Sequence, residues 1–516
     1  MYILCSIIIW ALIIACFYAF NKKSCFWKDD FEKNGQRNRV IKISTIVLTM
    51  ILVLVPMGFS PTWNGRNENH HNQYELLARS FLHGHLYLEF DDIDEKLLTM
   101  DNPYDYEARL DEGVKVHWDS AFYNGKYYMY FGVVPVLVLF LPFRMITGMD
   151  LPTIMATRIM VALFLLGLFL LFDLLKKRFF KNIPLMLNML LYLTISLFSL
   201  WYIMDAPELY CTAIAAGICC QVWSLYFLIR GVYVETSLKK VRIYALIGAL
   251  FGALSWGCRP TVGLICLASI PIVIRFIKKC LAGEYIIKSK AKIKNTVITL
   301  IIAMIPYLLV ALVLMVYNQV RFENPFEFGQ SYQMTVADQT AYGSFFEEFD
   351  LVKVINGLAD NFIKYKNVKK EFPFIAFSGI FVEFPMLLVV FAVFFRRVRE
   401  KLSKDGIYLF TMILNLIPVI ITITSILWTP YLLERYKMDF LFLMGVNAFI
   451  CIGALSETID ARFKNNFRRN IAYLCLITIM TAFLLFVTPY DSNFTGYSTK
   501  TLGEICKVLF FGHNFN

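Results

Sequence analysis

Runs of about twenty apolar residues, separated by short polar loops, recur from one end of the chain to the other. A helix of that length crosses about 30 Å of hydrocarbon. The pattern predicts spans near 3–20, 41–60, 152–175, 183–203, 207–229, 244–258, 262–277, 296–317, 373–395, 406–428, 438–455 and 470–488. One apolar stretch fits less well: 130–146 carries Pro135, Pro142 and Arg144 and reads as an interfacial or re-entrant helix rather than a crossing. Between spans, residues 74–86 place Leu76, Leu77, Phe81 and Leu82 on one helical face ending near Gly84, which predicts an amphipathic helix lying along the membrane surface.

Composition agrees. Of 516 residues, 58% are hydrophobic and 17% charged, and the mean hydropathy is +0.58, which is too apolar for a soluble domain. The net charge of +11 does not point to nucleic acid, because six short loops hold 31 of the 50 lysines and arginines. Such clustering marks the cytoplasmic side of a multispanning protein. The expectation is an all-α polytopic membrane protein with about twelve transmembrane helices, both termini outside, and two large external loops at 61–150 and 318–372. Residues 1–40 form an extra N-terminal helix and basic loop, 41–490 the main membrane domain, and 491–516 an external tail. The first apolar stretch lacks a basic start and a small-residue cleavage site, so it reads as a retained helix. The twelve cysteines lie mostly within spans and read as small core residues.

Chemistry is expected in the external loops. Many carboxylates crowd the first loop, and Asp119 stands out because it lies between Trp118 and an aromatic run that includes Tyr123, Tyr127 and Tyr130. Partial desolvation there would raise its basicity. A turn or capping role before Asn124-Gly125-Lys126 is an equal alternative. Lys126 is placed to reach a phosphate at the membrane surface, or else to snorkel. A second group sits at span ends: Asp205, Glu208, Arg259, Glu434, Arg435 and Asp439. Ionisable residues at that depth are functional candidates, although Arg435 and Asp439, four apart, are also placed to pair with each other. His70 and His71 are adjacent, and His83 and His85 flank a glycine; neither pair has the spacing of a helix-borne metal site.

Several strings resemble the GT-C superfamily, the polytopic glycosyltransferases that take a sugar from a polyprenyl-phosphate carrier, and in particular the bacterial group related to protein mannosyltransferases and aminoarabinose transferases. ARSFLHGHLYLE, NPYDYEAR and WDSAFYNGKYYMYFGVVP look like its first external loop, CRPT like its mid-chain Arg-Pro turn, YNQVRFENPFEFGQSYQ like the start of its second loop, and ERYKMDF like a late motif.

The resemblance implies an inverting transfer on the extracytoplasmic face of the cell membrane, to an acceptor in the envelope glycan, a lipid or a protein. One carboxylate of the first loop would serve as base, with a second acid at Asp205. The family's first-loop acid precedes the helix tyrosine, where this chain has Gln73, so Glu68, Glu75 or Asp119 remain for that role. Lys126, Arg259 and Arg435 would hold the donor phosphate. Glu208, Trp118, Tyr123 and Tyr127 would line the sugar pocket. The partners implied are a polyprenyl-phosphate-linked sugar and membrane lipids. Some relatives use a divalent cation and others do not. A transporter or lipid flippase, and a non-catalytic scaffold of the same fold, are the alternative readings.

Overall fold

The computed structural model describes residues 2–28, 34–58, 72–90, 92–286, 291–341, 350–365, 375–429 and 432–488. Glu68, His70 and His71 lie outside them, as does the tail from 489. The protein is an all-α polytopic membrane protein. Among the described residues, nine helices are long and apolar enough to cross a bilayer, running from Gly35–Met57 to Ala461–Phe486.

The remaining predicted spans take other forms. Leu238–Trp256 is a 19-residue helix with Lys239, Lys240 and Arg242 gathered in its first turns. The segment expected at 373–395 contains a short helix, Ile380–Glu383, followed by the ten-residue 3-10 helix Pro385–Phe394. That irregular passage is buried at Ile380, Phe384, Leu387 and Val393, where protein rather than lipid surrounds its backbone. Tyr2–Phe20 is helical, as expected.

Burial grades the spans from the centre outward. Leu185–Asp205, Leu209–Tyr233 and Leu441–Thr458 form the centre, each with 83% of its apolar window buried, whereas Lys292–Phe322 has 17% buried and faces outward along most of its length. Close approach at the centre uses glycine: a Cβ on Gly445 would lie 2.4 Å from the Ile195 side chain.

The loops segregate to opposite ends of the spans. At one end the basic loops meet, with Arg468 donating to the carbonyls of Trp27 and Asn182, and Tyr233 to that of Gly406. At the other end residues 72–90, 92–150 and 323–341 pack on each other. Gln73–Leu82 is the predicted amphipathic helix, but its apolar face is buried by protein rather than laid on a membrane surface. Tyr74 stacks on Phe140 at 5.1 Å, and Leu77 and Ala78 are covered. The stretch starting at Pro135 forms the short helical segment Val136–Thr147, about 18 Å long by helical rise and too short to cross.

The Asn-Gly pair makes the expected tight hairpin. Ala121–Tyr123 (β1) and Lys126–Tyr128 (β2) pair antiparallel, with Asn124 and Gly125 both at positive φ, 47° and 71°, as a two-residue primed turn requires. The second loop extends this hairpin. Phe122 N–H donates to the Tyr332 carbonyl and Met334 N–H to that of Ser120, and Ala121 bridges to Gln333. Buried Arg321, at the end of the long outward helix, ties the arrangement down by donating to the Met129 carbonyl at 2.6 Å.

Candidate functional site

The site is assembled by a close approach of two backbones. In the FGVVP segment that follows the hairpin, a Cβ on Gly132 would lie 2.2 Å from the Cys258 carbonyl oxygen. Only glycine lets the first loop lie against the CRPT turn, and Val134 N–H then donates to the Gly257 carbonyl at 2.9 Å. Asp119 and Arg259, 140 positions apart in the chain, are thereby brought into one neighbourhood.

Asp119 precedes β1 with φ 54°, a left-handed conformation that Asp and Asn tolerate better than other side chains. Among the described residues, helix and loop partners hold it. Its N–H donates to the Met334 carbonyl at 3.0 Å, its carbonyl accepts from Gln73 Nε2 at 3.0 Å, and Oδ1 accepts from Gln333 Nε2 at 2.8 Å. It is 7% exposed. Gln73, at the position where the resemblance expects an acid, therefore supports the backbone of Asp119. Gln333, which the sequence reading missed, reaches it from the second loop.

Asp119, Arg435, Tyr436 and Arg259 all lie within electrostatic reach of the Tyr130 phenol. Burial and the nearby Asp119 hold that phenol well above its ordinary pKa, so it stays a hydrogen-bond donor. Arg435 lies over the Tyr210 ring at 4.1 Å and near Tyr436 at 5.6 Å. Asp439 does not pair with it, contrary to the alternative their spacing allowed. The short 3-10 helix Glu434–Asp439 turns Asp439 toward Arg259 Nε, with oxygens at 2.8 and 2.9 Å, and toward the Thr261 hydroxyl at 2.7 Å. Asp205 ends its span and Glu208 precedes the next. With Arg259 and Arg435, both lie within electrostatic reach of Cys211 in that next helix.

Other candidates fall elsewhere. Lys126 pairs with Tyr123 across the hairpin, four residues of extended chain or about 13 Å from Asp119, and its ammonium sits 4.6 Å from the Tyr87 ring centroid. Tyr127 is 1% exposed and packs with Phe90 and Phe122, so it offers no face to a sugar; this corrects its assignment to the pocket wall. Tyr123 is partly exposed beside Tyr332 at 4.6 Å, and Trp118 is partly exposed beside Tyr106. Glu75 takes a structural position: both its oxygens accept from the Thr153 hydroxyl at 2.8 Å, and one accepts from Thr153 N–H at 2.7 Å. It thus caps the N-terminus of Thr153–Phe179, and burial pushes its carboxyl up to about 7.

Among the described residues the one cluster of three donors close enough to share an ion is His83, His85 and Glu89, at the end of the amphipathic helix, and Asp439 is already neutralised by Arg259.

No protein-family model matches the chain, and no curated protein sequence matches it. Among solved structures, the chain is similar to the apo form of the Archaeoglobus fulgidus oligosaccharyltransferase, at 13% identity and a TM-score of 0.45 over 92% of this chain and 60% of that one. The chain thus spans about 60% of the length of that structure.

Proposed function

We propose that the chain is a GT-C-type membrane glycosyltransferase that moves a sugar from a polyprenyl-phosphate donor to an extracytoplasmic acceptor, with inversion at the anomeric carbon. The observation that carries this reading is the state of Arg435. Its partly buried guanidinium lies on an aromatic ring near Asp119 and has no carboxylate partner among the described residues. A desolvated cation left without its own anion is suited to a phosphate, and a held carboxylate beside it is suited to a base.

In this mechanism Asp119 takes the proton of the acceptor hydroxyl as that oxygen attacks the anomeric carbon. The bond from the anomeric carbon to the phosphate oxygen breaks, and its electron pair leaves with the polyprenyl phosphate. Arg435 stabilises the charge that develops there, and the Tyr130 phenol is a further donor. Arg259, held at Nε by Asp439, adds positive potential while its other guanidinium nitrogens can face the donor. Asp205 and Glu208 border the acceptor side, and partly exposed Tyr123 and Trp118 offer rings to the sugar. Asp119 serves in the role the resemblance gives to position 73, and the neutral amide of Gln73 spares it a like-charged neighbour.

Asp119→Asn tests this directly. Asparagine tolerates the left-handed backbone but takes no proton, so turnover should fall by about 10²- to 10⁴-fold while polyprenyl phosphate still binds the purified protein in nanodiscs. Full activity in this variant would end the assignment. Failure of the wild-type protein to bind polyprenyl phosphate above a generic anionic lipid would favour a transporter or scaffold.

A further inference from the structure

The turn that follows the amphipathic helix brings two imidazoles and one carboxylate together, and nothing in the proposed transfer reaction uses them. The helix Gln73–Leu82 ends with His83 N–H donating to the Arg79 carbonyl and His85 N–H to that of Ser80. Between them Gly84 adopts φ 84°, a conformation that reverses the chain and that glycine takes without strain. As a result His83 and His85, two apart in sequence, converge instead of diverging. Four residues on, Glu89 meets both: His83 Nδ1 lies 3.0 Å from each of its oxygens, and His85 Nε2 lies 2.6 Å from Oε1.

The His85 ring is oriented by other groups. Its Nδ1 faces the Tyr87 carbonyl at 3.1 Å, and its plane stacks on the Tyr87 ring at 3.9 Å. A proton on Nδ1, donated to that carbonyl, leaves the Nε2 lone pair aimed at a carboxylate oxygen. An N···O distance of 2.6 Å is bridged by a proton shared between ring and carboxylate or by a metal ion that takes its place. A ring nitrogen donating to a backbone carbonyl while the other faces a cation is also the usual outer arrangement around a metal-bound histidine.

We propose that His83, His85 and Glu89 form a transition-metal site, of the two-imidazole, one-carboxylate kind that takes Zn2+ in preference to Mg2+ or Ca2+. The donor set is right for a borderline ion and wrong for a hard one. Metal bonds of about 2.0–2.2 Å in a tetrahedral shell place neighbouring donors about 3.3–3.6 Å apart, so the His83–Glu89 spacing must open by roughly 0.5 Å and the His85–Glu89 spacing by under about 1 Å, while the three ligand atoms already lie within 4.8 Å of one another. With three protein ligands a fourth position stays open to water or a substrate oxygen. The site also has a mechanical consequence. Leu88 N–H donates to the Tyr127 carbonyl at 2.7 Å, and Tyr87 carries Lys126 on its ring, so an ion closing 83–89 would clip the amphipathic helix to the hairpin that bears Asp119. This proposal does not depend on the glycosyl-transfer reading.

The test uses full-length protein purified without a histidine tag, stripped with chelator and titrated with Co2+, whose visible absorption reports its coordination, followed by displacement with Zn2+. One equivalent should bind in the wild type, excess Mg2+ should not displace it, and Zn2+ should raise the thermal midpoint. In His83→Ala and Glu89→Gln, both exposed at the turn, affinity should fall at least about tenfold and the thermal shift should vanish, with the metal-free midpoint unchanged. Asp119→Asn should retain the equivalent. Equal binding by wild type and Glu89→Gln, or loss of the equivalent in Asp119→Asn, would overturn the proposal, the latter by moving the ion to the reaction centre.

Discussion

Arg435 and Lys437 stand two residues apart on the same short helix, and their surroundings are opposite. Lys437 is 3% exposed and saturated: its ammonium donates to the Ser378 carbonyl at 2.6 Å and to Glu383 at 3.0 Å, and pairs with Glu434 at 2.5 Å. Arg435 rests on Tyr210 and Tyr436 with no carboxylate partner among the described residues. Both cations have left water, so both pay desolvation. Lys437 recovers it within the fold, joining the late loop to the irregular passage at Ile380–Phe394. Arg435 recovers only the weaker attraction of aromatic faces and the field of Asp119. A buried cation whose partners all belong to the chain holds the structure; one without them is poised for a ligand anion.

The largest effect should come from Lys437→Met. It leaves two glutamates facing each other without compensation, and breaking a buried pair from one side destabilises by about 3–5 kcal/mol. Thermal unfolding in detergent should show a large drop, recovered in part when Glu383→Gln and Glu434→Gln are added. If Lys437→Met alone unfolds like the wild type, the cluster is not structural and the contrast fails.

Arg435→Ala should behave in the opposite way. No carboxylate among the described residues is orphaned, so the unfolding midpoint should move little. Loss of a charge-assisted bond to phosphate, about 1.5–3 kcal/mol, should weaken polyprenyl-phosphate binding by roughly 10- to 150-fold. Unchanged binding with lowered stability would make Arg435 a packing residue and remove the main support for the proposed reaction.

How far this contrast could be read from sequence depends on the range of the contacts that make it. Local features were legible: the apolar spans, the Asn-Gly hairpin, the end of the amphipathic helix at Gly84 and the non-crossing segment after Pro135 each follow from a short window. Arg259 and Arg435 stand out in sequence because charge at a span end is costly wherever the chain goes, and Asp119 because aromatic residues flank it in the first loop. Their partners were not legible. Gln333 reaches Asp119 across 214 positions and Asp439 reaches Arg259 across 180, and polar glutamine in a loop carries no pattern. The i to i+4 spacing of Arg435 and Asp439 suggested the wrong pair, since it assumes an α-helix and the segment is a tighter 3-10 turn. The His83, His85 and Glu89 cluster was missed for a related reason. Helical spacing was the wrong template for residues that straddle a glycine at positive φ.

Glu75 offers the smallest effect, and it tests the boundary between structural and reacting acids in the first loop. Its carboxyl sits at the start of Thr153–Phe179, accepting from Thr153, and burial together with Asp150 raises it from 4.5 to about 7. The folded protein therefore keeps this proton up to about pH 7, whereas the unfolded chain releases it near 4.5. Wild-type stability should be greatest below that interval, fall as pH rises through it and level off above. Glu75→Gln cannot titrate, and its amide oxygen still accepts from Thr153, so its unfolding midpoint should lose this slope while turnover persists. A parallel slope in both proteins would place the titration on another group. Loss of turnover at an unchanged midpoint would transfer the proposed base from Asp119 to Glu75.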